Sequence, residues 1–313
     1  MRRASTAPLA NAVWPYAAVV MPPGQAESHI VRLIVSCPDG PGIVAAVAGL
    51  LRDAGANIIT SDQYTTAETG GHFFMRVEFA PVGGGEYSKP ELARLEERFA
   101  EQVARPAQMR FNLWPAHTRK RVGILVSRQD HCLLDLLWRW RRRELPIDVG
   151  LVASNHADLR TDVEAFSVPF HHVPVDPSAR AQAEARLLEL LAGGDLVILA
   201  RYMQILSGAF LERLGAPVIN IHHSFLPAFA GARPYEQARA RGVKLIGATA
   251  HYVTEQLDGG PIIEQDVVRV SHRDDAADLE RYGRDIERTV LARAVTWHCE
   301  DRVATYEGTT VVF

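Results

Sequence analysis

The run Ala216-Pro217-Val218-Ile219-Asn220-Ile221-His222-His223-Ser224-Phe225-Leu226-Pro227 sets the architecture. Its first half is apolar, β-branched and too short for a helix, so it reads as a buried strand. Strands of that kind belong to sheets covered on both faces. Ligands of open α/β sheets sit beyond the carboxyl ends of their strands, which is where Asn220 and His222 stand. Side chains alternate along a strand with period two, so residues 220 and 222 share one face.

Working outward, strand-like runs at 121 to 127, 147 to 153, 171 to 175, 195 to 200, 217 to 221, 244 to 253 and 261 to 270 are separated mainly by helical segments. This alternation predicts an α/β fold, a Rossmann-like, mostly parallel sheet with helices on both faces. The last two strands are joined by a short turn and pair antiparallel. An amphipathic helix from about 274 to 301 follows, and the tail 303 to 313 adds a hairpin. Upstream the order changes to strand (30 to 36), helix (42 to 54), two strands (57 to 66 and 72 to 79), helix (89 to 103) and strand (108 to 113). Six elements in that order make a ferredoxin-like α+β unit. The expected division is an N-terminal extension at 1 to 27, the ferredoxin-like domain at 28 to 114, a linker at 115 to 120 and the second domain at 121 to 313.

A chain of 313 residues with 47% hydrophobic content has enough core for two domains. A formal net charge of −3 gives no basic field for a phosphate backbone, so no nucleic-acid partner is expected. Arg139, Arg141, Arg142 and Arg143 lie in a helical pattern and read as a solvated face. Cys37, Cys132 and Cys299 are odd in number and lack metal or redox spacing, which fits buried thiols in a reducing cytoplasm. Prolines at 8, 15, 22 and 23 interrupt the leader, so it is read as a loose extension, or as residues upstream of a start at Met21, and not as a signal peptide. No stretch is long and apolar enough for a membrane span.

Asp258 follows His222 by 36 positions, in His251-Tyr-Val-Thr-Glu-Gln-Leu-Asp258-Gly259-Gly-Pro. An amide, an imidazole and a carboxylate can polarise a carbonyl, move a proton and position a nucleophile. In order, spacing and flanking residues this trio resembles the folate-dependent formyltransferase superfamily, which implies that Asn220, His222 and Asp258 are catalytic. The resemblance implies that Asn220 and His222 stabilise a tetrahedral oxyanion, that Asp258 accepts a proton from the nucleophile or orients it, and that His222 protonates the leaving nitrogen. It also implies a folate wall at Leu199, Tyr202, Met203, Gln204, Ile205 and Leu206, with His251 and the loop around Gly259 at the polar edge of the pterin; by spacing alone those apolar residues read equally as core. Arg233 and His251 are open between supporting Asp258, meeting the glutamyl tail and forming an ordinary polar rim, and His223 has no assigned role. His156, His171 and His172 lack metal-ligand spacing, so no metal or other cofactor is expected.

The turn Pro38-Asp39-Gly40-Pro41-Gly42-Ile43, with Asn57 after the helix, resembles the amino-acid-sensing ACT domain. That resemblance implies an effector such as glycine or methionine at Asp39, Gly40, Gly42 and Asn57, and sheets paired side by side in a homo-oligomer. The residues alone also fit a tight turn capped by Asn57. After its first strand the second domain reads Ser127-Arg-Gln-Asp-His-Cys-Leu-Leu-Asp135, without the glycines that cradle a phosphorylated acceptor and with Asp130 in their place. Together with Ala153-Ser-Asn-His156, Phe170-His-His-Val-Pro174 and the run from Asn220 to Tyr235, it resembles the formyltetrahydrofolate deformylases from about residue 28 to 313. This implies hydrolysis of 10-formyltetrahydrofolate to formate and tetrahydrofolate, balancing the one-carbon pool and supplying formate to purine synthesis. The alternatives are formyl transfer to an amine and a non-catalytic folate- or amino-acid-binding regulator.

Overall fold

The computed structural model describes residues 29–176, 178–227 and 234–313. The expected extension at 1 to 27 and Arg233 lie outside the described residues. The chain first forms β1 (Val31–Pro38), α1 (Ile43–Asp53), β2 (Ala56–Thr65), β3 (His72–Pro81), α2 (Lys89–Phe99), a π-helical turn (Ala100–Ala104) and β4 (Arg110–Pro115). These strands make an antiparallel sheet in the order β2-β3-β1-β4. Alternation along β1 decides its faces: Val31, Leu33, Val35 and Cys37 pack with Val47, Leu50 and Leu51 of α1 and with Leu95 and Phe99 of α2. α2 is started by a capping box, in which Ser88 and Glu91 bond each other's backbone N–H. The expected helix at 89 to 103 ends in the π-helical turn, and the strand expected at 108 to 113 begins two residues later.

The second sheet collects β5 (Lys120–Val126), β6 (Ile147–Ser154), β7 (Phe170–His172), β8 (Leu196–Leu199), β9 (Val218–His222), β10 (Leu245–Tyr252) and β11 (Ile262–Arg269), in the order β11-β10-β9-β8-β5-β6-β7. Helices α3 (His131–Arg141), α4 (Arg160–Glu164), α5 (Arg180–Leu191), α6 (Gly208–Leu214), α7 (Pro234–Ala240) and α8 (Ala276–Cys299) connect and flank it. Val122, Ile124 and Val126 face Leu133, Leu136 and Leu137 of α3 and Val290 and Leu291 of α8. Leu125, on the opposite face, meets Leu187 and Leu191 of α5 and Phe210 of α6. Helices therefore cover both faces. Each buried leucine in such a layer stabilises by about 2–5 kcal/mol relative to alanine.

β5 to β9 are parallel, but β10 pairs antiparallel with β9 as well as with β11. The reversal at β9 was not expected from the sequence. A parallel return requires a crossover along a sheet face, whereas α7 has only seven residues and packs against α8. Antiparallel register sets His251 directly across from Asn220.

β12 (Val303–Tyr306) and β13 (Thr309–Val312) form the terminal hairpin. It and the end of α8 cover the helix-free face of the first sheet. Arg32 pairs with Asp301 at 2.8 Å, Trp114 Nε1 donates to the same carboxylate at 2.8 Å, and Arg76 donates to the Glu300 carbonyl at 3.1 Å. His72 stacks on Tyr306 with centroids 4.8 Å apart.

Candidate active site

β9 carries Asn220 and His222 on one face to the edge of a crevice, and β10 brings His251 beside Asn220. Between β10 and β11 the chain folds back over them. Gly260 lets it do so, since a Cβ there would lie 1.8 Å from the Tyr252 carbonyl oxygen. Asp258, held at φ 53°, points into the group. That left-handed conformation is uncommon for a side-chain-bearing residue and stores strain where geometry must be fixed.

His222 Nδ1 lies 3.3 Å from Asp258 Oδ2, and His251 Nε2 lies 3.6 Å from Oδ1. Hydrogen bonding from His222 first, then from His251, holds the Asp258 carboxyl far below the ordinary carboxylate range despite its partial burial. His251 Nδ1 faces the Tyr252 carbonyl at 2.9 Å, and its Nε2 meets Asn220 Nδ2 at 3.2 Å. The Asn220 amide has two N–H groups, so at least one remains for another acceptor. With Nδ1 turned to Asp258, His222 Nε2 is buried and has no hydrogen-bond partner among the described residues. Buried polar atoms of that kind are uncommon and ask for a ligand.

The trio opens into a cavity of about 510 Å³. Leu199, Tyr202, Met203, Gln204, Ile205 and Leu206 line one side, and residues 253 to 258 line the other. Met203 and Ile205 are 59% and 57% exposed, so they do not belong to the core. Tyr202 is buried, which with the Glu184 charge pushes its phenol up to about 12. Gly259 makes the turn, with its N–H on the Gln256 carbonyl at 3.2 Å, and does not line the cavity. His223 also lines the cavity, and burial together with the Arg201 charge lowers its imidazole to about 4.

Behind His223 lies a buried polar cluster that the sequence reading missed. Glu287 of α8, 1% exposed, takes His131 Nε2 at 2.9 Å and Arg201 Nε at 3.4 Å on one oxygen, and Tyr235 Oη at 2.8 Å on the other. Burial alone would raise its carboxyl, but His131 and Arg201, with Tyr235, outweigh it and hold it low. A signal was present: Gly283, Glu287, Val290, Leu291 and Ala294 share one helical stripe, and a carboxylate on an apolar stripe needs a partner. His131, Cys132 and Glu287 bring potential ligand atoms within 4.8 Å of one another. Both Glu287 oxygens are already engaged and the Arg201 cation stands beside them, so these residues fit an ion-pair network better than a metal centre.

In the first sheet, Asp39 accepts from Gly40 N at 2.9 Å and Thr65 Oγ1 at 2.8 Å, and Gly42 takes φ 89° at the start of α1. Asn57 is exposed on the edge strand β2 and does not cap that turn. The one polar side chain of the turn is thus engaged by the Gly40 N–H and by Thr65 of β2.

Residues 120–295 match the family model for formyl transferase, and residues 31–84 match that for the ACT domain. A formyltetrahydrofolate deformylase of Mycobacterium bovis is 55% identical over 91% of this chain and 91% of its own length. One from Bacillus subtilis is 52% identical over 90% of this chain and 93% of its own. The chain belongs to the formyltetrahydrofolate deformylase family. A crystal structure of a formyltetrahydrofolate deformylase from Pseudomonas syringae superposes with a TM-score of 0.87 at 46% identity, covering 92% of this chain and 96% of that one. This deformylase-family chain therefore carries an ACT domain followed by a formyltransferase domain, and the trio lies in the latter.

Proposed function

We propose that the protein hydrolyses 10-formyltetrahydrofolate to formate and tetrahydrofolate. The observation that carries this is the His222–Asp258 pair, with a buried, unpartnered Nε2 at the wall of a cavity large enough for a folate headgroup. In this reading the pterin lies against Leu199, Tyr202 and Leu206, Met203 and Ile205 close over it, and Gln204 and His251 meet its polar edges. The formyl oxygen accepts from the free N–H of Asn220.

Water attacks the formyl carbon and gives a proton to His222 Nε2, while the oxygen that gains charge is held by Asn220. The ionised Asp258 keeps the His222 Nδ1–H in place and stabilises the imidazolium that forms. A carboxyl held so low is a weak base, which favours the orienting role for Asp258 over that of proton acceptor. The tetrahedral species then collapses, the C–N10 bond breaks, and the proton on Nε2 passes to N10. Oxyanion stabilisation supplies about 10²–10³ in rate and the acid–base pair about 10²–10⁴.

We further propose that the reaction needs no metal, that it runs in a reducing cytoplasm that suits the free, buried Cys37, Cys132 and Cys299, and that the ACT domain binds a small amino acid, glycine or methionine, in a homo-oligomer. The test of the main reading is incubation of the metal-stripped protein with 10-formyltetrahydrofolate alone. Formate and tetrahydrofolate in equal amounts are expected. An absolute need for an amine acceptor would overturn it.

A further inference from the structure

We infer that the cluster of Glu287, His131, Arg201 and Tyr235 is a specificity plug: it fills the space beside the trio that an amine acceptor would need, and leaves room there for water alone. The inference rests on the hydrolytic reading above.

Arg201 and His223 both line the cavity, and of the two His223 stands directly beside His222. The His223 ring is held between His222, with centroids 5.1 Å apart, and Tyr235, at 6.3 Å. Behind Arg201 its Nε reaches Gln129 Oε1 at 2.6 Å and Glu287 at 3.4 Å. Four chain segments therefore converge on one carboxylate: the end of β8, the start of α3, α7 and α8. The packing is keyed. A Cβ on Gly283 would lie 1.8 Å from Tyr235 Oη, so the phenol occupies a notch that only glycine leaves open. Arg201 itself is held at φ 64°, a strained conformation fixed by its surroundings.

Apolar residues of similar volume often replace buried ion pairs at no loss, so this arrangement is weak evidence of stabilisation. Its position does suggest a use. A hydrolase acting on an activated formyl group must exclude competing nucleophiles, many of which are amines. In the proposed arrangement an acceptor larger than water would have to displace Arg201, which is held by Gln129 and Glu287, or His223, which is backed by Tyr235. An ammonium ion also meets the guanidinium charge of Arg201 at the wall.

Hydroxylamine is a suitable probe, being small, uncharged near neutral pH and trapped as formohydroxamate. The measured quantity is the ratio of formohydroxamate to formate formed from 10-formyltetrahydrofolate. With the uncatalysed formation of both products subtracted, this ratio does not depend on the fraction of enzyme folded, so a merely structural role would not move it. Wild type should give formate with no hydroxamate above the uncatalysed rate. Tyr235→Ala and His131→Ala, which open the plug from two sides, should each raise the ratio at least about tenfold. Tyr235→Phe keeps the bulk and should retain the wild-type ratio. Unchanged ratios in both alanine variants while formate is still released would overturn the plug. So would ready transfer to hydroxylamine by wild type, an outcome that needs no variant to fold. Failure of wild type to release formate in water would instead count against the hydrolytic reading itself.

Discussion

The crevice at the end of β9 and the turn at 39 to 42 both gather polar groups at the end of a strand, but they treat them oppositely. In the crevice a strained carboxylate fixes one nitrogen of His222 and leaves the other buried without a partner. In the turn Asp39 is already engaged by the Gly40 N–H and the Thr65 hydroxyl, and Gly40 and Gly42 are exposed. Unsatisfied buried groups cost stability and are kept where a ligand completes them. A self-satisfied exposed turn binds, if at all, through its backbone and at modest affinity. The contrast predicts large effects of substitution on turnover in one region and small ones in the other.

The largest belongs to Asp258→Asn. Without the carboxylate His222 loses both its orientation and the partner for its imidazolium, so kcat should fall at least about a hundredfold with folate affinity little changed. Single-turnover kinetics beside a folate titration measures the two separately. Near-wild-type turnover in a folded variant would remove the trio from the mechanism.

Asn220→Ala comes next, at about 10²–10³ in kcat, or roughly 2.7–4 kcal/mol, if its free N–H meets the oxyanion. It also strips His251 Nε2 of the 3.2 Å contact. His251→Gln should cost less than Asn220→Ala, because it touches the oxyanion only through the amide, although it also loses the 3.6 Å contact with Asp258.

What the sequence made legible follows the same divide. Asn220 and His222 could be placed because strand alternation is local, and Asp258 because its spacing matched a known pattern. The reversal of β10 was illegible, since the direction of a strand depends on where its connection packs, and the seven-residue α7 carries no mark of that. The Glu287 cluster was hidden by distance along the chain. Glu287 lies 156 residues from His131 and 52 from Tyr235, and only its place on the apolar stripe of α8 betrayed it. In the ACT domain, the glycines at 40 and 42 were readable as permitting a tight turn, but nothing local told that the Asp39 carboxylate would be engaged by Thr65, 26 residues later.

Smaller again is the effect of pH on stability, and it too belongs to the catalytic side. Burial lowers His223 and His298 to about 4, with Arg201 adding to the shift of the former. Between about 6.5 and 4 the unfolded chain takes up protons at these positions while the folded chain does not, so stability falls as pH drops through that window. Unfolding temperatures measured across it should slope downward toward acid. His298→Gln, which can still bond the Tyr252 hydroxyl, should flatten the slope. An identical slope in wild type and variant would assign the acid sensitivity elsewhere.

The smallest effect tests the other side of the comparison. Asp39→Ala removes two exposed or half-exposed hydrogen bonds, each contributing about 0.5–1.5 kcal/mol at most, and lies outside the formyltransferase domain. Formate release without effector should stay within about twofold of wild type. If an amino acid binds the turn through backbone N–H groups that Asp39 holds in place, the same variant should lose a response of about five- to 150-fold in affinity, the range of a coupling of 1–3 kcal/mol. Activity assays with and without glycine or methionine, run beside calorimetry, distinguish the cases. Binding that survives Asp39→Ala would show that the carboxylate does not organise the effector site. A large loss of basal turnover would show that the two regions are coupled more tightly than their polar chemistry suggests, and the contacts of Arg32, Arg76 and Trp114 with the end of α8 would be the first route to examine.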